Sequence, residues 1–444
     1  MISETESTAL GTPPSGAQVT ALSSAPVTAP NWLHQIELQR AAEGREWARK
    51  KLEADIQAQA RQVPARCPQD GTPLRKTRWR PMQLQTSVGV VNVQVQWGKS
   101  AALDQWVCPA RAQWGLAAYQ QVSPELQEMA CFAATKTDSY EDAAVLMTRF
   151  GHPVSDDLIH HHVQQCGQAC AALVLPPPSV PPAEPEFSLV IMMDGWLVRE
   201  RGLHWGKKGA PPPDEQRVDW REVKSAVIYR LEQRAETASG RGMLVEKSIV
   251  ACPPLTAPVD FGASVEAEAR RRGLGRAKKV YIVIDGAVWL WDLAQDRFKD
   301  AVLTLDFHHA AQHLWALAHE LHGAGTAEAR AWVEPLLHQL RHGEESQVVL
   351  TLQQLLTPCE PRSAPVQKVV TREVNYLCNH KDHLHYQARE KEGAPMGSGA
   401  VESLCRQLQN RFKACGQFWS RHGLTHLLAI NVLFKNQSAH FLWN

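Results

Sequence analysis

Two unbroken apolar runs constrain the fold of this chain more than any other feature of its sequence. Residues 187–195 read FSLVIMMDG, and residues 280–286 read VYIVIDG. Apolar runs of this length, which do not alternate with polar residues, are typical of strands that are buried on both faces in the middle of a sheet. We therefore expect an α/β architecture in which helices cover both faces of the sheet, with Asp194 and Asp285 at the carboxyl ends of two strands.

A third carboxylate follows far downstream in the segment GSGAVES at 397–403. Glu402 lies at the start of a predicted helix, which Ser398 can cap and whose apolar stripe includes Val401, Leu404 and Leu408. An Asp-Gly pair alone is also typical of an ordinary turn, and a surface helix would show the same stripe. Taken together, two strand-end aspartates and one helix glutamate can hold two Mg²⁺ or Mn²⁺ ions, because carboxylate oxygens are the hard ligands that Mg²⁺ prefers.

The order of the predicted elements indicates how the two strand-end aspartates would meet. Several strands, a helix near 263–273 and then the strand that ends at Asp285 fit an RNase H-like sheet. In that sheet the first and fourth strands lie side by side and parallel. Asp194 and Asp285 would then be within reach of one metal ion.

The overall charge does not by itself indicate a nucleic-acid partner. The 444 residues include 47 Lys+Arg and 46 Asp+Glu, for a net charge of +1, so DNA would have to be bound by local basic patches. Ten scattered cysteines are typical of reduced cytosolic thiols, and no apolar run is long enough to span a bilayer. We expect a cytoplasmic protein of more than one domain, with no membrane partner.

Two groups of cations are candidates for contacts with DNA phosphates. One lies in RRRGLGRAKK at 270–279 and includes Arg271, Arg272 and Lys278, although a charge run is more often a solvated turn. The other consists of Arg406 and Lys413, which follow Glu402 on nearly the same side of its predicted helix.

The amino-terminal part divides into a tail and a small domain. Residues 1–30 have the composition of a disordered tail, and residues 31–120 combine a helix over 32–62 with a small β subdomain. The helix is expected to be exposed, to bind a partner or to form a dimerising arm. Cys67 and Cys108 open two Cys-Pro corners similar to those of a zinc ribbon, but Asp70 and Arg111 stand where the second cysteines would be. We therefore expect no structural zinc in this degenerate ribbon, since such a site needs four ligands.

Residues 121–175 are predicted to be helical, and Ser123, Ser139 and Ser155 begin successive helices. Two helices around the turn at 151–154 fit either a DNA-binding helix-turn-helix or an ordinary helical hairpin, and the sequence leaves both open. The consecutive histidines at 160–162 are expected to be surface or groove-facing residues rather than metal ligands. Six prolines then define a linker over 176–186, after which 187–444 would form the catalytic domain.

The order of these motifs resembles one known family. DGAVWLWDL from Asp285, DFHHAAQHLW from Asp306, and PMGSGAVES followed by RFKACGQFW look like the DDE transposases of bacterial insertion sequences, specifically the Kra-type family related to the Mutator superfamily. The resemblance runs from about residue 65 to the end of the chain. It implies an RNase H-like domain with a helical insertion at about 310–395, and a catalytic and metal-binding triad of Asp194, Asp285 and Glu402. Asp306 and His309 would form a supporting Asp-x-x-His element.

The activity implied by the resemblance is metal-dependent nicking at the ends of the element, followed by strand transfer into target DNA. The implied partners are double-stranded DNA and further copies of the chain assembled on it. Two alternatives remain open: a hydrolytic nuclease of the same fold, and a non-catalytic DNA-binding protein derived from a transposase.

Overall fold

A computed structural model describes residues 31–443 except 118, 174–185, 211, 214, 239–241 and 358–361. The predicted tail over 1–30, and the predicted linker over 176–186 apart from Glu186, therefore lie outside the described residues. The chain divides into two compact units, 1–121 and 122–444.

The first unit consists of one long helix beside a small antiparallel sheet. Its elements are α1 (Trp32–Gln62), β1 (Arg75–Thr86), β2 (Gly89–Lys99), β3 (Trp106–Val107) and α2 (Pro109–Gln113), and the strands are ordered β1-β2-β3. The predicted helix over 32–62 is confirmed. Its carboxyl-terminal half covers the sheet, where Ala60 packs with Val93 and Val95, the buried residues of the alternating strand β2. The Gln57 amide bonds both the backbone N–H and the carbonyl of Gln94, at 2.7 and 3.1 Å.

The second unit contains a five-stranded mixed sheet. The strands of this unit are β4 (Ser188–Arg201), β5 (Val218–Arg230), β6 (Arg234–Glu236), β7 (Gly242–Leu244), β8 (Ser248–Cys252), β9 (Lys279–Ile284) and β10 (Val302–Leu305). The main sheet is ordered β10-β9-β4-β5-β8, whereas β6 and β7 form a separate hairpin. The strands β4, β9 and β10 are parallel, and β5 is antiparallel to both β4 and β8. The first and fourth strands of this sheet, β4 and β9, are thus adjacent and parallel as expected, which is compatible with an RNase H-like fold.

Helices precede, interrupt and follow the sheet. They are α3 (Pro124–Lys136), α4 (Tyr140–Arg149), α5 (Asp156–Ala172), α6 (Pro258–Arg271), α7 (Val288–Arg297), α8 (Phe307–His322), α9 (Ala327–Arg341), α10 (Glu345–Gln354), α11 (Ala364–Asn379), α12 (Tyr386–Lys391), α13 (Gly399–Phe412), α14 (Arg421–Lys435) and α15 (His440–Trp443). Short 3-10 turns occupy Leu274–Arg276 and Lys381–His383. The helices α8 to α12 lie between β10 and α13, where the sequence predicts a helical insertion.

Alternate residues of β4 pack into two different cores, one on each face of the sheet. Leu189, Ile191 and Met193 are buried with residues of α6 to α11. Val190 and Met192 are buried on the other face, with residues of α3, α5, α13 and α14. Both faces are therefore covered, as the apolar run over 187–193 predicts.

The three helices before the sheet begin where the sequence predicts. The hydroxyls of Ser123, Ser139 and Ser155 each accept a backbone N–H from the first turn of α3, α4 and α5. The prediction for the histidines at 160–162 is wrong for one of them. His162 is 3% exposed, because α5 turns its Nδ1 toward the Gln127 amide at 2.9 Å.

The helix α5 packs against α14 as well as against α3 and α4. Its exposed surface begins with Asp156 and Asp157, whose charges would repel phosphates. This packing gives no support to α5 as a helix that reads a DNA groove. The division between a domain over 121–175 and a domain over 187–444 stays a prediction, because the structure places helices and sheet in one hydrophobic core.

Candidate active site

Three aspartates gather at one edge of the sheet, where parallel strands end. Asp285 and Asp306 come directly after β9 and β10, and the Asp306 N–H donates to the Ile284 carbonyl at 2.9 Å. The register of β4 pairs Met192 with Val283. Because Asp194 and Asp285 each lie two residues beyond that pair, the two side chains are level on neighbouring strands.

The alternation of side chains also puts these aspartates on the face of the sheet that α13 covers. Val190 and Met192 of β4 belong to the core on that face, as does Val283 of β9. Asp194 and Asp285 have the same parity as these residues, so they point toward α13. The helix α13, which carries Glu402, thus covers the same face of the sheet to which Asp194 and Asp285 point.

The expectation that Asp194 ends its strand is wrong. The strand β4 continues to Arg201 because every residue from Leu189 to Arg201 pairs with β5, the long antiparallel neighbour. The parallel neighbour β9 stops at Ile284, so the edge beside Asp194 is open on that side only. Asp194 therefore lies within the strand, at the point where β4 is no longer paired with β9.

Burial and local hydrogen bonds shift the pKa of the Asp194 carboxyl in opposite directions. Burial raises its pKa, and the nearby negative charge of Asp285 raises it further. The Gly195 N–H at 2.7 Å, the Cys405 thiol and the charge of His309 act in the opposite direction. A cation bound here would relieve the cost that burial and repulsion impose on the charged form.

The Cys405 thiol packs beneath this carboxylate from α13. Cys405 is 3% exposed, and its pKa is raised by burial and by the charge of Asp194, to which it is hydrogen-bonded. Ser225 pairs with Asp194 across β4 and β5, so its side chain lies on the same face and contacts the Cys405 thiol. Its Oγ also accepts the Trp196 indole N–H at 3.1 Å. The thiol that bonds Asp194 is thus itself held by a neighbouring hydroxyl.

Asp285 is held by the start of the next helix. Its carboxylate accepts the Ala287 N–H at 3.0 Å, and its carbonyl accepts the Trp291 indole N–H at 2.8 Å. The Tyr376 ring of α11 covers the following Gly286, where a Cβ would lie 2.0 Å from the tyrosine oxygen. Glycine is therefore required at 286, since any side chain would push away either Tyr376 or the loop that holds Asp285.

Asp306 is fully buried and ties two helices together. It is the N-cap of α8, where its Oδ1 accepts the His309 N–H at 2.8 Å, and its Oδ2 accepts the backbone N–H of Ser398. The positive end of the α8 dipole favours this charge. The start of α13 is thus anchored to the end of β10 by a single carboxylate.

Glu402 extends from the first turn of α13 toward Asp306 and His309. The expected side-chain cap by Ser398 is not formed, because the Ser398 Oγ donates to Glu402 Oε1 at 2.9 Å instead. One ligand atom from each of Asp306, His309 and Glu402 lies within 4.8 Å of the other two. Sequence reasoning missed the role of Ser398, although the four-residue spacing between Ser398 and Glu402 was a usable signal.

The donor atoms fit a divalent cation of the hard or intermediate type. Two carboxylates and one imidazole suit Mn²⁺, and carboxylates alone suit Mg²⁺. Within the described ranges, no group of three mutually close ligands includes Asp194 or Asp285. The Asp194 carboxylate is hydrogen-bonded to Gly195 and Cys405, and the Asp285 carboxylate to Ala287. The exposed Glu402 is turned instead toward Asp306 and His309.

The two predicted groups of cations lie in different environments. Arg271, Arg272 and Lys278 precede β9 and lie at the opposite end of that strand from Asp285. They form ion pairs with Glu268, Glu246 and Glu186 respectively. Their contact with DNA stays a prediction, and it would be made away from the carboxylates.

Arg406 and Lys413 are nearer to the site. Arg406 is exposed one turn after Glu402, and Lys413 follows at the end of the same helix, 5.4 Å from the ring centroid of Trp220. The sequence did not single out Arg411, whose guanidinium is buried at the other end of α13.

Within the described part of the chain, every helix is too short or too polar to cross a bilayer. No protein-family model and no curated protein matches the sequence. Among solved structures, the chain is similar to the Drosophila P element transposase strand transfer complex, with a TM-score of 0.35 and 10% identity. That alignment covers 71% of this chain and 93% of the other. A TM-score and an identity this low support no conclusion on fold or function, and membership of the Kra-type family stays a prediction.

Proposed function

We propose that this chain is a metal-dependent enzyme that cleaves DNA strands and transfers them into target DNA, in the manner of a DDE transposase. The observation that carries the proposal is the meeting of Asp194, Asp285 and Asp306 at one sheet edge beneath the Glu402 helix. Four carboxylates and one imidazole on one face of a sheet are costly to bring together without a cation. The sheet order is also that expected of an RNase H-like domain.

In this proposal Asp194, Asp285 and Glu402 hold two Mg²⁺ or Mn²⁺ ions, with Asp306 and His309 beside them. Such ions, when bound, activate an attacking oxygen and stabilise the leaving oxygen at a phosphodiester. Asp194 provides a fixed ligand because its strand, Gly195 and Cys405 hold it in place. Glu402 is exposed and hydrogen-bonded to Ser398, so its side chain can rotate without movement of the backbone of α13.

The remaining residues of the site position the substrate. Arg406 is exposed on the same helix as Glu402, where it can contact a phosphate of the strand that enters the site. Asp306 keeps the start of α13 and the start of α8 together, so it controls the distance between Glu402 and the sheet. Loss of a ligand-orienting residue of this kind ordinarily costs about 10- to 100-fold in metal affinity or activity.

The experiment is a strand-cleavage and strand-transfer assay with the full-length protein. Labelled DNA that carries the chromosomal sequence on either side of the gene would be incubated with a target plasmid and Mg²⁺ or Mn²⁺. We expect the native protein to nick the labelled ends and join them to the plasmid. Asp194→Asn, Asp285→Asn and Glu402→Gln should bind the DNA and do neither, because each removes one negative ligand at nearly constant shape.

The matched control is Asp300→Asn, which changes an exposed aspartate outside the site and should leave both steps intact. Cleavage without joining would indicate a hydrolytic nuclease instead of a transposase. Binding without cleavage by native protein and variants alike would indicate a DNA-binding protein without catalysis. Equal activity of the native protein and the Asp194→Asn variant would refute the site.

A further inference from the structure

A second site lies at the far end of α13, in a cavity of about 400 Å³. The cavity opens between the turn that joins α3 to α4, the end of β4 and the loop that joins α13 to α14. Four aromatic side chains line it: Tyr140, Trp205, Phe418 and Trp419. Trp205 and Phe418 lie against each other, with ring centroids 4.7 Å apart. We call this cavity the arginine-aromatic pocket.

Arg411 supplies a buried positive charge to the wall of this pocket. The side chain is 5% exposed, and its guanidinium donates to the backbone carbonyls of Ala134 and Asp138 at 2.8 and 3.1 Å. Its contacts also include the rings of Tyr140 and Trp419, at 5.8 and 5.3 Å. No carboxylate among the described residues forms an ion pair with it, although buried arginines are ordinarily paired. The charges of Asp138 and Asp142 act on Arg411 through space without forming an ion pair, so the guanidinium can still accept an anion from the adjacent cavity as a direct partner.

A second arginine faces the same cavity from the last residue of β4. The Arg201 Nε donates to the Phe418 carbonyl at 2.9 Å, and its guanidinium lies 5.5 Å from the Trp205 ring centroid. Arg201 also has no carboxylate partner in the described part of the chain. The acidic residue that lines the pocket is Asp138, whose carbonyl is already bonded to Arg411. Cations therefore outnumber acids at the wall.

We propose that the arginine-aromatic pocket binds one unpaired nucleotide of a DNA strand. The rings would stack on the base, and Arg201 and Arg411 would contact its phosphate. Aromatic rings beside arginines are the combination that binds single-stranded nucleic acid without base-specific hydrogen bonds. The volume suits a nucleotide, since sites for small molecules ordinarily measure about 300–1,000 Å³.

The position of the pocket on α13 favours a DNA strand over a free nucleotide. Arg411 comes nine residues after Glu402 on the same helix, which is about 13 Å at 1.5 Å per residue. That distance corresponds to about four nucleotide steps of a DNA strand. A strand that passes the carboxylates would thus bring a nearby nucleotide to the pocket. This choice of DNA rests on the proposed function, whereas the nucleotide chemistry rests on the pocket alone.

The test measures binding of a short single-stranded oligonucleotide that carries 2-aminopurine to the full-length protein, without divalent metal. Stacking on the aromatic wall should quench the 2-aminopurine fluorescence. Trp205→Ala and Arg201→Gln should each weaken binding about tenfold and reduce the quenching, because one removes a stacking surface and the other a phosphate contact. Both side chains are exposed in part, so these variants are expected to fold, whereas Arg411→Gln removes a buried group.

Matched controls separate the pocket from general attraction to DNA. Trp47→Ala removes a tryptophan that is 71% exposed on α1, and Arg330→Gln removes an exposed arginine on α9, so neither should change the quenching. An oligonucleotide with an abasic site in place of 2-aminopurine has no base to stack in the pocket. Its affinity for the native protein should therefore be about as low as the affinity of the intact oligonucleotide for Trp205→Ala. Equal binding by native protein, Trp205→Ala and Arg201→Gln would overturn the proposal.

Two further arms decide the source of the ligand. If dAMP or inorganic phosphate competes at the same concentration as the oligonucleotide, the pocket binds a free nucleotide or an anion, and the assignment to DNA is wrong. The Asp300→Asn variant, which changes an exposed aspartate outside both sites, should quench the probe as the native protein does. If the protein cleaves DNA but shows no quenching that depends on Trp205, the proposed function stands and the proposed nucleotide pocket is refuted.

Discussion

Replacing Asp194 with asparagine should make the metal-free protein more stable. The largest cost of the Asp194 charge is its burial, and the charge of Asp285 adds to that cost. Side chains that are level on neighbouring strands are about 5 Å apart, so at an effective dielectric constant of about 20 the two charges would repel by at most about 3 kcal/mol. Both side chains are half-buried, so water screens part of that repulsion. Asparagine also weakens the bond from the Gly195 N–H, at a cost of about 1 kcal/mol. We expect a net gain of about 1–2 kcal/mol in the free energy of unfolding.

The sign of the pH dependence follows from the raised pKa of Asp194. A carboxyl group whose pKa is higher in the folded state binds more protons there than in the unfolded chain. Its contribution is therefore lost as pH rises from the unfolded pKa through the folded one, and the native protein carries the full penalty at neutral pH. The stability advantage of Asp194→Asn should therefore shrink as pH falls from the raised pKa of the folded protein to the normal pKa of an aspartate, and it should be absent below that normal value.

The assay is urea denaturation in EDTA and in excess Mn²⁺, followed by tryptophan fluorescence. A cation at about 100 times its dissociation constant stabilises the protein that binds it by about 2.7 kcal/mol. Mn²⁺ should therefore raise the unfolding midpoint of the native protein, and raise that of Asp194→Asn much less. The control Asp300→Asn should behave as the native protein in both buffers. If Asp194→Asn is less stable than the native protein in EDTA, or gains as much from Mn²⁺, the reasoning fails.

Two further variants test packing and charge at other places in the chain. Gly167→Ala should destabilise the second unit by about 1–3 kcal/mol in urea denaturation, because its Cβ would lie 2.3 Å from the Cβ of His426 on α14. The contrasting Gly44→Ala, in an exposed helical position with open space around it, should be neutral or gain up to about 1 kcal/mol, and equal effects would contradict the assigned helix contact. Arg406→Gln should weaken DNA binding and lower the slope of log affinity against log salt by about one, whereas Arg330→Gln should change neither. An unchanged salt slope for Arg406→Gln would remove that residue from the DNA surface.

The two central strands could be predicted from the sequence, because a strand buried on both faces needs an unbroken apolar run and that pattern is local. The role of Asp194 and Asp285 as metal ligands stays a prediction. The end of β4 was placed wrongly because its length depends on β5, a partner some 30 residues later whose register no local pattern reveals. His162 was expected at the surface because its burial depends on Gln127 of another helix.

Two residues of α13 show the same limit in side-chain chemistry. Ser398 stands where a capping serine is expected, but its hydroxyl bonds Glu402, and the N–H groups of Val401 and Glu402 donate to the Ser398 carbonyl instead. Arg411 was overlooked because a cation in an amphipathic helix is ordinarily solvated, and only the packing of α3 and the loop after α13 buries it. Periodicity gives the face of a helix, whereas the partner of a polar group depends on contacts that are distant in sequence.

The interior position of Asp194 within β4 determines the timescale on which the proposed metal site can assemble. The backbone of Asp194 is held by the pairing of β4 with β5, so the residue cannot move along or out of the strand unless the sheet opens. Glu402, in contrast, is exposed on a helix that is itself anchored at Asp306. Glu402 can therefore adjust to a cation by rotation of an exposed side chain, a motion that takes picoseconds to nanoseconds, whereas a shift of the Asp194 backbone would have to wait for the slower opening of the sheet.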